Sequence, residues 1–105
     1  MLSQKQQMRL KYEQTIDTLG VPAVIDRVNG ESYECVIGWR TSTDEELINA
    51  FGVGVKVATV KQKDVAVVQK MDRINVMDDR YTVDEVFPVY LNDLLIGWRC
   101  VIRGK

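Results

Sequence analysis

The sequence predicts a mainly β fold of the α+β type, in which a small antiparallel β-barrel or sandwich follows one amphipathic helix. Two observations predict it. A helical apolar period near the N-terminus gives way to alternating apolar and polar residues, and several short strands then follow at close spacing. The length of 105 residues suits one domain, so we expect a single domain over residues 1–105.

Residues 4–19 carry the helical period. Apolar residues recur at spacings of four, four and three on one face, at Met8, Tyr12, Ile16 and Leu19. Gly20 is a natural stop for this helix, and Pro22 lies just beyond it. The stripe predicts packing on the chain's own core or, in an assembly, on a neighbouring molecule.

Residues 22–103 carry the β pattern. Asn29-Gly30 predicts a type I′ hairpin turn, because both residues tolerate positive φ. The strand that follows alternates, which predicts an inward set of Tyr33, Cys35, Ile37 and Trp39. Asp78-Asp79 predicts a second hairpin turn, and Pro88 is expected to end the strand after it. The last strand is predicted over residues 95–103.

Residues 40–54 interrupt the β pattern and are expected to form a long loop. Thr43 and Glu46 have the spacing of a capping box, so Thr43 is predicted to cap a helix of about two turns within the loop. Long insertions between the strands of a small domain are often functional.

The composition excludes several function classes. The chain has no histidine, two distant cysteines and no nucleotide-binding glycine motif, so we expect no enzyme, no cofactor and no metal. The net charge of -1 argues against general nucleic-acid binding, and we expect a solvated strand face for the lysines at 56, 61, 63 and 70. No apolar run suits a membrane span or a secretory signal, so we expect a cytosolic chain whose Cys35 and Cys100 are reduced and largely buried.

An ordered series of features from Val55 to Arg103 resembles the head–tail joining proteins of tailed bacteriophages, also called head-completion or stopper proteins. A valine-rich strand leads to the turn Lys63-Asp64-Val65, and then to a step into the next strand at Met71-Asp72-Arg73-Ile74. A tight turn, an aromatic strand from Arg80 and a closing strand from Trp98 complete the series. The chain departs from the family at Met71 and at Asp78-Asp79, where the family usually carries glycine.

This resemblance implies a structural virion protein, from a phage or a prophage, that is assembled in the bacterial cytoplasm. Such proteins form a homo-oligomeric ring at the head–tail connector, beneath the portal. They contact portal or adaptor proteins and tail-completion proteins, help to close the portal channel, and meet packaged DNA at most indirectly. We expect the ring to form only on such a scaffold. The resemblance implies no catalytic residue.

The candidate interface residues lie in the helix and in the long loop: Arg9, Tyr12, Ile16, Asp44, Glu45, Glu46 and Phe51. Arg9 is expected to be an exposed helix position. The alternative function is that of a small β-barrel that binds nucleic acid or serves as a protein-interaction adaptor. Nucleic-acid binding would require exposed aromatic residues among basic ones, whereas the alternation predicts that Tyr33 and Trp39 face inward.

Overall fold

A computed structural model describes residues 3–52 and 54–104, which fold into a closed antiparallel β-barrel with helices on its outer surface. The elements in chain order are α1 (Gln4–Leu19), β1 (Val21–Asp26), β2 (Ser32–Thr41), α2 (Glu45–Phe51), β3 (Lys56–Lys61), β4 (Arg73–Val76), β5 (Asp79–Leu91) and β6 (Leu94–Gly104). The predicted fold class is therefore confirmed. Val53, within the predicted 40–54 loop, lies outside the described residues.

The strands follow one another around the barrel in the order β1-β2-β3-β6-β5-β4, and β4 pairs with β1 to close it. In this order β4 stands opposite β3. Inward-facing aliphatic side chains from all the strands fill the barrel, and Ile25, Ile37, Ile74 and Val83 have no exposed surface. Val65 and Val68, between β3 and β4, are buried in the same core.

Helix α1 has the predicted bounds, and local capping accounts for both ends. A capping box stands at its start, where the Gln6 amide donates to the Ser3 hydroxyl (3.1 Å) and the Ser3 amide donates to the Gln6 side chain (3.2 Å). At its end the Gly20 amide donates to the Ile16 carbonyl. A Cβ at Gly20 would lie 2.4 Å from the carbonyl oxygens of Ile16 and Ile37, so only glycine allows the helix end to approach β2.

The first hairpin is confirmed, but its turn type was predicted wrongly. Of the Asn29-Gly30 pair, only Gly30 has positive φ, at 95°. The Gly30 amide donates to the Arg27 carbonyl (2.9 Å), and the Arg27 amide donates to the Glu31 carbonyl (2.7 Å). The loop is therefore longer than a two-residue type I′ turn, with one left-handed residue near its end.

The short helix in the 40–54 segment is confirmed, but its cap is Asp44 and not Thr43. The Asp44 carboxylate accepts a hydrogen bond from the Glu46 amide at 2.9 Å. Both residue types cap helices well, so the sequence alone did not decide between adjacent candidates. Leu47 and Ile48 of α2 pack on Val57 and Val101, which project outward from β3 and β6.

The prediction that Pro88 ends its strand is wrong. Strand β5 continues through Pro88 to Leu91, and Pro88 lies opposite Trp98 of β6. Strand β4 pairs with β5 only from Asp79 to Thr82, so the later part of β5 forms an extended hairpin with β6. A proline fits there because its missing N–H is not needed on an edge that no neighbouring strand pairs with.

A buried carboxylate joins the first hairpin to the segment before β4. Asp72 has no exposed surface, and its oxygens accept hydrogen bonds from the backbone amides of Gln69 (2.8 Å) and Val28 (3.0 Å). The guanidinium of Arg27 lies 3.3 Å from the same carboxylate. Asp72 also pairs its backbone carbonyl with the Val83 amide at 2.9 Å. The carboxylate is therefore paired and hydrogen-bonded, as a buried charge must be.

Two expectations about polar side chains need correction. Lys61 is 3% exposed and not part of a solvated face, because its ammonium forms ion pairs with Asp17 of α1 and with Asp64. Both cysteines are free, as predicted, but only Cys100 is fully buried while Cys35 is half-buried. Burial raises the pKa of Cys100 to about 12 and that of Cys35 to about 11, so both thiols resist ionisation near neutral pH.

Within residues 3–52 and 54–104, neither helix has the length and apolar character needed to cross a bilayer.

Candidate functional site

An apolar groove runs along one side of α1 on the outer surface of the barrel. Its volume is about 570 Å³. Its floor consists of small residues on β2 and β3, Gly38 and Thr59, which lie opposite each other in the sheet. The rest of the lining comes from α1 and from the ends of neighbouring elements: Met8, Lys11, Tyr12, Thr15, Ile16, Leu19, Gly20 and Trp39.

The predicted stripe of α1 is divided between the core and this groove. Ile16 is buried against the barrel and Tyr12 is half-buried, whereas Met8 and Leu19 are exposed. The helix therefore docks through the centre of its stripe and leaves apolar side chains at both ends. Of the two candidate interface residues in the stripe, Ile16 has almost no surface left for a partner, and Met8 and Leu19 are the better candidates.

Tyr12 closes the bottom of the groove against β6. Its hydroxyl would lie 2.4 Å from a Cβ at Gly97, so the absence of a side chain at Gly97 is what lets α1 lie this close to the sheet. The hydroxyl is buried and has no hydrogen-bond partner among the described residues. Burial raises the pKa of Tyr12 to about 12, so the phenol stays neutral at ordinary pH.

Arg9 is less available than the sequence suggested. Its side chain is 30% exposed, and its guanidinium lies 3.2 Å from the carboxylate of Glu13, which is buried. An acidic residue at position 9 would face Glu13 at the spacing of one helical turn, so charge reversal there would also change stability. Lys11, on the groove side of the same helix, is exposed and is paired with no carboxylate in the described part of the chain.

The candidate residues of the second group lie on α2 and not beside those of α1. Asp44 is used as the helix cap, while Glu45 and Glu46 of the first turn are exposed. Phe51 is 41% exposed and lines a separate surface cavity with Lys56 and Tyr81. The structure thus brings the predicted residues to two helices, and it does not gather them into one site.

Sequence reasoning predicted the turn between β4 and β5 at Asp78-Asp79 but missed the exposed Met77 within it. Met77 has a φ of 55° and is 84% exposed, the largest exposed fraction among the large apolar side chains described. Asp78, next to it, is exposed and is paired with no cation among the described residues. A methionine inside a polar turn sequence was the available signal, since such turns favour Gly or Asn at a left-handed position.

Two aromatic residues and a lysine form a partly exposed cluster on the barrel. The rings of Trp39 and Tyr81 meet edge to face at 4.8 Å, and the Lys56 ammonium lies 5.4 Å from the Trp39 ring. The lysine and both rings are each only partly exposed. They are thus engaged with one another, unlike the open aromatic platform on which nucleic-acid bases stack.

The described side chains provide no group of three or more acidic or cysteine residues arranged to hold a metal ion. No protein-family model matches the chain, and no curated protein matches it in sequence.

Proposed function

We propose that this chain is a structural virion protein of a tailed phage or prophage. It forms a ring at the head–tail connector, beneath the portal, and helps to close the channel and to join the tail. Its partners in this role are copies of itself, a portal or adaptor protein, and a tail-completion protein. Its place is in the virion, and it is assembled in the bacterial cytoplasm.

The backbone at Met71 is the observation that carries the proposal. The resembling family usually has glycine before the acidic residue of this step, and Met71 has a φ of 75°, the conformation that glycine adopts most easily. The Met71 amide donates to the Val83 carbonyl, and Asp72 follows as the buried hydrogen-bond acceptor. This position thus has a backbone conformation that favours glycine, the residue usual in the family, although the chain carries methionine there.

The turn before the aromatic strand supports the same proposal. The family usually has glycine in this turn, and here Met77 supplies the left-handed conformation with a φ of 55°. The first departure, Met71, is itself left-handed, whereas at the second the left-handed residue is Met77, immediately before Asp78-Asp79. A small barrel with a helix before it and an inserted helix between β2 and β3 suits a ring subunit that contacts several proteins.

The neighbouring genes and a binding experiment with the encoded portal protein test this function. We expect genes for a portal, a capsid protein and tail proteins beside the gene for this chain. The purified portal ring, mixed with this protein and examined by electron microscopy, should gain an extra ring of density at one end. A gene neighbourhood without virion proteins, or a portal ring that gains no density, would contradict the proposal.

The nucleic-acid-binding alternative makes a different prediction in the same preparation. A barrel that binds single strands would retain an oligonucleotide in a salt-dependent manner. The connector role predicts no retention at physiological salt.

A further inference from the structure

We propose that the β4–β5 turn of one copy inserts Met77 into the α1 groove of a second copy, where Asp78 lies beside Lys11. This inference deepens the proposed function, because it names the surfaces through which ring neighbours would meet.

The turn is locally unfavourable in two ways. Left-handed backbone is costly for a residue with a side chain, and Met77 also holds an apolar side chain in water at 84% exposure. Glycine or asparagine would avoid both costs. Nothing inside the described chain covers the side chain, so burial in a second molecule is the explanation that accounts for both features.

The groove has the complementary character. Its lining is largely apolar, with Met8 and Leu19 exposed at either end of α1, and its floor at Gly38 and Thr59 leaves room for an inserted side chain. Lys11 lines the groove as an exposed cation, and Asp78 follows Met77 as an exposed anion. An apolar side chain next to an acid therefore matches an apolar groove that contains a base.

The positions of the two surfaces allow the contact to repeat. Helix α1 contacts β2 and β3, whereas the turn lies beside the start of β1, because Val76 pairs with Ala23 and Met77 lines another surface cavity with Pro22 and Cys35. Groove and turn are therefore different surfaces of the chain, and Met77 does not line the groove of its own molecule. The contact is head-to-tail, and such contacts generate a ring when the rotation closes. One side chain and one ion pair form a small contact, which agrees with an isolated chain that is monomeric or weakly associated.

Disulfide trapping tests the geometry directly. The full chain with Lys11→Cys and Asp78→Cys keeps Met77, and a disulfide between two copies is recognised by its doubled mass under non-reducing conditions. The matched control carries Lys11→Cys and Lys63→Cys, since Lys63 is an exposed lysine in the turn after β3. The native thiols compete little, because Cys100 is buried and burial raises the pKa of Cys35 to about 11.

Under mild oxidation at high protein concentration, the 11/78 variant should give a ladder of disulfide-linked multimers. The control should give about tenfold less disulfide-linked multimer, because a specific contact raises the effective concentration of the two thiols. Equal linkage in both variants would overturn the proposal. So would efficient linkage of the single variant Asp78→Cys, because two turns would then meet symmetrically.

Charge reversal gives an independent test. Lys11→Glu alone and Asp78→Lys alone should each weaken self-association in sedimentation experiments by about fivefold, as expected for a reversed surface pair. An equal mixture of the two variants should regain association, because each groove then meets a turn of opposite charge. A mixture that associates no better than its components would overturn the pairing.

The outcomes separate this contact from the connector role. Failed trapping together with a normal ring on the portal would refute the contact and leave the function standing. Successful trapping in a protein that does not bind the portal would retain the contact and refute the function.

Discussion

The two ends of β4 use the same backbone conformation for different reasons. Met71 precedes the strand with a φ of 75°, and Met77 follows it with a φ of 55°. At the first end, Asp72 is fully buried and binds Gln69, Val28 and Arg27. At the second end, Asp78 is exposed and holds nothing in the described chain.

This difference shows what kind of structure can maintain an unfavourable residue. The surrounding hydrogen bonds determine the conformation at Met71, so the chain tolerates a methionine there as part of a stable network. The tight turn holds the conformation at Met77, and the side chain, at 84% exposure, gains little burial within the described part of the chain to offset the cost. A residue in an unfavourable conformation that few contacts within its own chain stabilise, such as Met77, is therefore a candidate for contact with another molecule.

The largest expected effect is the loss of the Asp72 carboxylate. Asp72→Ala leaves two backbone amides and the Arg27 guanidinium without the buried carboxylate that they bind, and should lower the free energy of unfolding by about 3–5 kcal/mol. Chemical denaturation measures this. The matched control is Asp78→Ala at the other end of β4, which should change stability by less than about 0.5 kcal/mol. Similar losses for the two variants would remove the distinction between the ends.

Glycine at each left-handed methionine should separate stability from association. Met71→Gly and Met77→Gly should each raise the free energy of unfolding by about 0.5–1 kcal/mol, because glycine relieves the backbone cost but is more flexible when unfolded. Thermal melts test this part. Only Met77→Gly should also reduce self-association, since only that side chain is proposed to enter a second copy. A reduction by Met71→Gly as well would mean that the effect is not specific to the turn.

Lys61 carries another buried charge, and its replacement tests whether the loss of any buried charge destabilises the fold as much as the loss of Asp72. Lys61→Met should lower the free energy of unfolding by no more than about 1 kcal/mol, because methionine fills similar space and the freed carboxylates can be hydrated. Asp17 and Asp64 keep 45% and 23% of their side-chain surface exposed. A loss of stability as large as that for Asp72→Ala would mean that hydration of the Asp17 and Asp64 carboxylates does not compensate for the missing ammonium.

The smallest effect concerns Asp26, the last residue of β1 and the neighbour of β4, and it depends on pH. Hydrogen bonds from Ser32 and Asn75, with help from the nearby Arg80, hold the pKa of Asp26 below its ordinary value of 3.8. A lowered pKa means that Asp26 stabilises the fold above pH 3.8 and that this contribution disappears as the pH falls further. Asp26→Asn should therefore melt a few degrees below the wild type at pH 7, and the gap should close in acid. A gap that is constant with pH would show that the charge plays no part.

The sequence predicted the features that local chemistry determines. The bounds of α1, the inward face of β2 and the two hairpins follow from period, capping and turn residues within short segments. Asp72 and Lys61 were not recognised because their partners, Val28 and Asp17, lie 44 residues away in both cases, and only the closed barrel brings them together. The apolar stripe of α1 predicted that Met8 and Leu19 pack like Tyr12 and Ile16, but both are exposed. How much of the stripe is covered depends on the width of the barrel beneath the helix, which the helix sequence does not contain.

Pro88 has a consequence for the behaviour of the protein at high concentration. Beyond Val83, the outer edge of β5 pairs with no strand of the described chain, and the exposed Phe87 and Tyr90 lie along it. Such an edge invites another chain to add a strand and begin an aggregate. Proline removes one N–H from the middle of this edge, which interrupts the ladder that an incoming strand would need. Pro88 therefore helps to keep separate copies of the chain from pairing edge to edge, and a valine at this position should favour precipitation.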